Sequence, residues 1–226
     1  MRLLCIGKDL QHQGLDITHT EEVKLSAQPD MEVFDYIIIS GGDGTIRRVV
    51  KTLQHIEHSA TFILNPIGSF NVVAKLHKVP QIKQVLKALE NGETPPSQKH
   101  QFYTLNEEVF LFSAGNMGDL QHILLAETLR FGLLKHGILK YMLALVFLLP
   151  LHMILTPFML LSKSRFFIFT PMPLIKKFGS FYAKVETMTI DLQSHYNHIE
   201  LDGDIVTIEE SILHIRPAGS IEIVTA

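Results

Sequence analysis

The stretch from Ser40 to Val50, SGGDGTIRRVV, follows the apolar run YIII (Tyr36–Ile39) and constrains the fold more than any other feature of the chain. A short apolar run reads as a strand buried on both faces. Ile46, Val49, Val50 and Leu53 then recur at helical spacing. Between the two, Gly41, Gly42 and Gly44 let the backbone curl and approach a ligand with no Cβ in the way. A strand that turns tightly into a helix leaves backbone N–H groups unpaired, with the positive end of the helix dipole behind them. Such a turn suits phosphate. Asp43 then falls beside the phosphates, where a carboxylate holds Mg2+ or orients an attacking hydroxyl. Thr45 caps the helix or bonds a phosphate oxygen. Arg47 and Arg48 sit near the helix start, where each cation opposes the dipole by about 0.3–1 kcal/mol. They make sense beside an anion or an acidic side chain, or as solvated side chains on the outer face.

The surrounding pattern extends this unit. RLLCIG (Arg2–Gly7) and TFIL (Thr61–Leu64) read as further buried strands. QIKQVLKALENG predicts a helix with Ile82, Val85, Leu86 and Leu89 on one face and Asn91-Gly92 at its end. ETPPSQKH breaks the pattern and reads as a linker. Beyond Lys99 the character changes. FYTLNEEVFLF predicts a hairpin turning at Asn106-Glu107, Leu120 to Phe131 a helix, and Ser180 to Ala226 a run of β-branched strands with turns at Asp202-Gly203 and Ala218-Gly219. The expected architecture is α/β over 1–98, followed by a β-rich domain over 99–226.

Composition narrows the function classes. The formal net charge of −3 supplies no basic field, so nucleic acid is not an expected partner. The single cysteine, Cys5, excludes an intramolecular disulfide and a cysteine-based metal site, and reads as a small core hydrophobe. Among the 12 histidines, the pairs His55/His58 and His195/His198 lack an accompanying cysteine or carboxylate pattern, and are read as surface or core residues. MRLLCIGKDL is not a secretory signal, so the expected location is the cytoplasm or its membrane face. Tyr141 to Leu161 contains no Lys, Arg, Asp or Glu and is long enough to span a bilayer. Pro150 and Pro157 would kink or break one helix, so a helical hairpin or an interfacial segment is an equal alternative. Lys135 and Lys140 before it, and Lys163, Arg165, Lys176 and Lys177 after it, suit anionic headgroups. Burial inside the β-rich domain is the competing reading.

GGDGT after an apolar strand resembles the nucleotide-binding motif of the diacylglycerol kinase catalytic-domain family, which includes bacterial lipid kinases, sphingosine kinases and ceramide kinases. NAD kinases and phosphofructokinase-like kinases share that turn. A second motif, NPIGSFNVVAKLHKVP (Asn65–Pro80), separates them, because it is similar to the lipid-kinase segment P-x-G-[ST]-x-N-x-x-A with a later proline. Pro66, Gly68, Ser69, Asn71, Ala74 and Pro80 match in order. VFLFSAGNMGDL resembles the family's glycine loop ending at Asp119, and IELDGDIV its late DGE turn. Arg47-Arg48 stand where the family commonly has Asn-Glu, and Asp204 stands for the DGE glutamate.

The resemblance implies a Rossmann-like domain of the NAD kinase/phosphofructokinase type, followed by a β-sandwich-like domain. It implies Mg2+ and ATP as cofactors, with ATP contacted by Gly41, Gly42, Asp43, Gly44, Thr45, Ser69 and Asn71. Asp43 and Asp204 are the implied catalytic residues, Asp204 as general base. The implied reaction is γ-phosphoryl transfer to diacylglycerol or a related lipid. A membrane surface and a second copy of the chain are further expected partners. A non-catalytic protein of the same fold, and a kinase for a soluble hydroxyl substrate, are the alternatives.

Overall fold

The computed structural model describes residues 1–10, 12–27, 30–116, 139–172 and 176–226. The helix expected over Leu120–Phe131 and the expected site residue Asp119 lie outside them. Two compact units emerge, Met1–Phe102 with Gly219–Ala226, and Tyr103–Ala218.

The first unit is built on parallel strands in the order β2 (Asp16–Thr20), β1 (Arg2–Gly7), β3 (Tyr36–Gly41) and β4 (Thr61–Pro66). Ile223, on the last strand of the chain, pairs in parallel with Phe62. The apolar runs of β1, β3 and β4 form these strands because both of their faces are covered. Leu3, Cys5, Ile38 and Ile63 pack with Val85, Leu86 and Leu89 of α3 (Ile82–Glu90). Ile37 and Ile39, which point the other way, are equally buried, and α1 (Asp43–Leu53) packs on β3. A short helix, α2 (Val72–Leu76), follows β4. Residues 22–27 and 31–33 form two 3-10 turns. β2 escapes the sequence pattern because DITHT is polar and sits at the sheet edge.

Strands β5 (Ser97–Leu105) and β14 (Ile212–Val224) contribute residues to both units. Half of the expected linker is therefore strand, since Ser97 to His100 open β5. The turn expected at Ala218-Gly219 is absent as well, because β14 runs straight through it. Gly219 has another use. A Cβ there would stand 2.9 Å from the Phe102 ring, so the glycine admits an aromatic side chain against the strand.

The second unit is mostly antiparallel. β5 and β6 (Glu108–Phe110) form the expected hairpin with Asn106 at positive φ, and β11 (Met188–Asp191) pairs with β14. A second sheet runs β13 (Asp204–Ile208), β12 (Asn197–Leu201), β7 (Ser113–Gly115), β8 (Phe167–Phe169), β10 (Phe181–Tyr182) and β9 (Lys177–Phe178). Inner residues of both sheets, among them Leu105, Phe110, Ile168, Ile199, Leu213 and Ile215, meet in one core, which makes the unit sandwich-like. α4 (Leu139–Leu161) continues through Pro150 and Pro157 as one helix, so of the alternatives the helical hairpin does not occur. Over the described residues, no helix is long and apolar enough to cross a membrane.

Two histidines belong to the first unit's interior. His77 and His100 are buried with Nε2 and Nδ1 2.9 Å apart, and the described residues contain no cluster of three or more His, Cys, Asp or Glu suited to a metal. Burial lowers the pKa of His58, and also that of His77 against an opposing hydrogen bond with Gln98. Such a histidine binds fewer protons folded than unfolded, so its share of stability is complete above the unfolded pKa and is lost as pH falls. Denaturant titrations should show stability declining from about pH 7 to 5, around the ordinary histidine value. His58→Gln and His77→Gln should each make that decline shallower.

Candidate active site

The glycine turn is tighter than its sequence suggests. α1 begins at Asp43 and not at Ile46, with Gly42 as its N-cap in extended conformation. The first intrahelical bond runs from Ile46 N to Gly42 O at 3.1 Å. The N–H groups of Asp43, Gly44 and Thr45 therefore belong to the first helical turn, which lacks intrahelical acceptors. Gly41 must be glycine for a local reason, because a Cβ there would lie 2.5 Å from the Thr45 Cβ.

The second motif folds against the first. The β3–β4 register sets Ser40 beside Asn65 and Gly41 beside Pro66. Asn65 Nδ2 donates to Ser40 Oγ, and Ile67 N donates to Gly41 O. Beyond that point the two loops touch glycine to glycine. A Cβ on Gly68 would sit 2.7 Å from the Gly42 Cα. Asn71 adopts the left-handed conformation, with φ 50 and ψ 54, which asparagine tolerates better than most residues. Its side-chain amide accepts from Gly68 N at 3.1 Å and donates to Gly68 O at 2.7 Å, closing the loop on itself. Ser69 is exposed on that loop.

Asp43 joins the two loops. Its Oδ2 accepts from Val72 N at 2.8 Å and its Oδ1 from Val73 N at 3.0 Å, so the carboxylate caps the start of α2. The side chain is buried, and desolvation raises its pKa against the lowering effect of those two bonds and of Lys75. Only an acceptor-only group fits, because both oxygens face N–H donors. Arg48 finds the acidic neighbour that its position asks for. Arg48 Nε donates to Glu22 Oε1 at 2.5 Å and its Nη2 to Oε2 at 3.3 Å, while Arg47 is buried.

In the second unit, Asp202 and Gly203 form the two-residue turn between β12 and β13, both with positive φ. Asp204 opens β13, half-buried. Asp202 is more than the turn residue that Asp-Gly signals, because its buried carboxylate accepts N–H bonds from Leu111, Phe112 and Ser113 at 2.6, 2.9 and 2.9 Å. Glu200, also buried, accepts from Ser113 Oγ and Gly203 N. Three carboxylates in and around one hairpin turn, in ELDGD, were the available signal.

A parallel α/β unit with a glycine-rich helix start and a sandwich-like unit together define a two-part α/β fold. Residues 7–99 match the family model described as "Diacylglycerol kinase catalytic domain". A Bacillus subtilis (strain 168) protein named "Diacylglycerol kinase" is 32% identical over 103 residues, which are 44% of this chain and 31% of that protein. A Streptococcus pneumoniae serotype 4 (strain ATCC BAA-334 / TIGR4) protein named "Putative lipid kinase" is 23% identical over 132 residues, 57% of this chain and 42% of that one. The chain thus aligns with less than half the length of either relative. A solved structure from Bacillus anthracis str. Sterne, described as "a putative diacylglycerol kinase", shares the fold with a TM-score of 0.60 at 15% identity, covering 100% of this chain and 97% of that one.

The knot between the loops is testable apart from any ligand. Asp43→Asn places an amide donor against a backbone N–H and should cost about 1–3 kcal/mol, the penalty for a buried donor left unpaired. Gly68→Ala forces the loops apart and should also lower the melting temperature. Differential scanning calorimetry of both variants checks this, and wild-type melting in each would refute the arrangement.

Proposed function

We propose that the chain is an ATP-dependent lipid kinase that transfers the γ-phosphoryl group to the hydroxyl of diacylglycerol or a related lipid. One observation carries the reading: α1 starts directly after Gly42, with the exposed Ser69 loop packed beside that start through Gly68. Helix-start N–H groups and a dipole favour an anion there. The residues fit Mg2+-ATP, because the glycines leave the backbone bare where phosphates would approach. Mg2+-ATP supplies the transferable phosphoryl group. Gly42, Gly44 and Thr45 bind phosphate oxygens through the helix start, and Ser69 donates its hydroxyl. Asn71 acts by holding the Gly68 loop closed. Each Asp43 oxygen keeps a further lone pair, so Asp43 positions both loops and orients metal or phosphate with its remaining capacity. Asp204 accepts the proton of the lipid hydroxyl, its placement fixed by the Asp202-Gly203 turn.

A non-catalytic member of the fold is the second reading. The Arg48–Glu22 pair favours it, since a position that commonly holds Glu in the family is here committed to an ion pair. Transfer of radiolabel from ATP to a total lipid extract decides between the two.

Mg2+-ATP at millimolar concentration should raise the melting temperature by mass action. Ser69→Ala should shrink that rise while leaving the unliganded melting temperature unchanged. Asp204→Ala should keep the rise yet lose transfer by at least about a hundredfold, the lower range of general-base catalysis. An Asp204→Ala protein as active as wild type would remove Asp204 from the mechanism.

A further inference from the structure

Among the described side chains of α4, the exposed large ones are apolar. Met142, Val146, Met153, Ile154, Phe158 and Leu161 are between 55% and 82% exposed, and they recur at helical spacing as one stripe. Ala144, off the stripe, is fully buried. The helix end is fixed to the β9–β10 hairpin: Ser180 N donates to Leu160 O, and Ser180 Oγ to Ser162 O. Gly179 lies so close that a Cβ would sit 2.4 Å from Leu160 O. The hairpin adds Phe178, 64% exposed, and Lys177 beside the Tyr182 ring. Lys163, Arg165 and Lys176 are exposed near these elements in sequence.

Charge selects the occupant. From 139 to 183 the chain has five Lys and Arg and no Asp or Glu, although the whole chain is net negative, and the next lysine, Lys184, pairs with Glu186. A second copy docked face to face would bring cations against cations with no carboxylate in that segment to meet them. An anionic leaflet meets both requirements, taking the apolar stripe among its acyl chains and the cations at its phosphates. We infer that α4 and the β9–β10 hairpin form a platform that lies in the plane of an anionic bilayer surface, with α4 parallel to it. The inference deepens the kinase reading, on which it rests for its purpose, by naming the kind of membrane that the protein works on.

Flotation of the full chain with vesicles tests it, using phosphatidylcholine alone and an equimolar phosphatidylcholine–phosphatidylglycerol mixture, without nucleotide. The chain should bind the mixture, release it in high salt, and bind neutral vesicles far less. Lys163→Glu, Lys176→Glu and Lys177→Glu together should weaken partitioning by at least about a hundredfold, at roughly a fivefold loss for each cation removed. Phe178→Ser, on the hairpin, should weaken it with α4 intact. Circular dichroism melts establish that both variants fold. Equal binding to both vesicle types, unchanged binding by both folded variants, or a wild-type dimer that Val146→Asp dissolves would overturn the inference. A chain that floats but never phosphorylates lipid would sink only the kinase reading. One that phosphorylates detergent-dispersed lipid yet ignores vesicles would sink only the platform.

Discussion

The Asp43 carboxylate is the constraint on which the first unit's site depends. It reaches from the first turn of α1 to the first two N–H groups of α2, and so ties two consecutive strand-to-helix turns together. Burial disfavours its charge, which is why its pKa is raised. The two N–H bonds offset that cost and simultaneously satisfy donors that α2 cannot satisfy itself. The contacts around it follow from this tie. With α2 held, Asn71 sits in its left-handed conformation, its amide closes on Gly68, and Gly68 lies against Gly42. Asparagine would not replace the aspartate, because one of its two polar atoms is a donor. The GGDGT aspartate therefore has a structural reason to be an aspartate before any metal or phosphate is considered.

The second unit uses the same physics at Asp202. A carboxylate on a tight turn accepts three consecutive backbone N–H groups, from Leu111, Phe112 and Ser113. Those residues connect β6 to β7, so the β12–β13 turn and this connection hold each other. Asp204 is two residues beyond Asp202, at the start of β13. Its backbone placement is thus inherited from Asp202, and a change at Asp202 would be felt at Asp204 through the turn. Neighbouring aspartates in one hairpin divide two tasks: the first supplies fixed geometry, and the second presents a half-buried carboxylate from it.

Much of this was legible in the sequence, and the reasons differ from element to element. β1, β3 and β4 were readable because buried parallel strands are continuous apolar runs, and α3 because its apolar face keeps helical spacing. β2 was not, since an edge strand needs no such run. Gly219 was read as a turn because glycine marks turns, whereas its absent side chain makes room for Phe102. Prolines mark helix breaks, yet Pro150 and Pro157 lie inside α4. At the site, the motif glycines and Asp43 were visible by spacing. What Asp43 touches was not, because its partners Val72 and Val73 lie 29 and 30 residues away and are backbone groups, which leave no trace in residue identity.

Arg48 separates two questions that the sequence presents as one. Cations near a helix start suggested an anion nearby, and a phosphate ligand would have met that need. Glu22 meets it instead, from a 3-10 turn that precedes β3, with Arg48 also reaching Thr45 Oγ1 at 3.4 Å. The arginine therefore counts neither for nor against a bound phosphate. It does fix the Thr45 side chain, and with it the wall that keeps Gly41 free of a Cβ. The case for phosphate rests on the helix start itself, where the N–H groups of Asp43, Gly44 and Thr45 have no helical acceptor and no Cβ stands on Gly42 or Gly44. That case is unaffected by replacement of the family's Asn-Glu. Phosphoryl transfer is a separate matter, because it requires a placed base as well as a bound anion. On the proposed reading, binding and transfer fall to different residues, Gly42 to Thr45 and Asp204, so one can be lost while the other is kept.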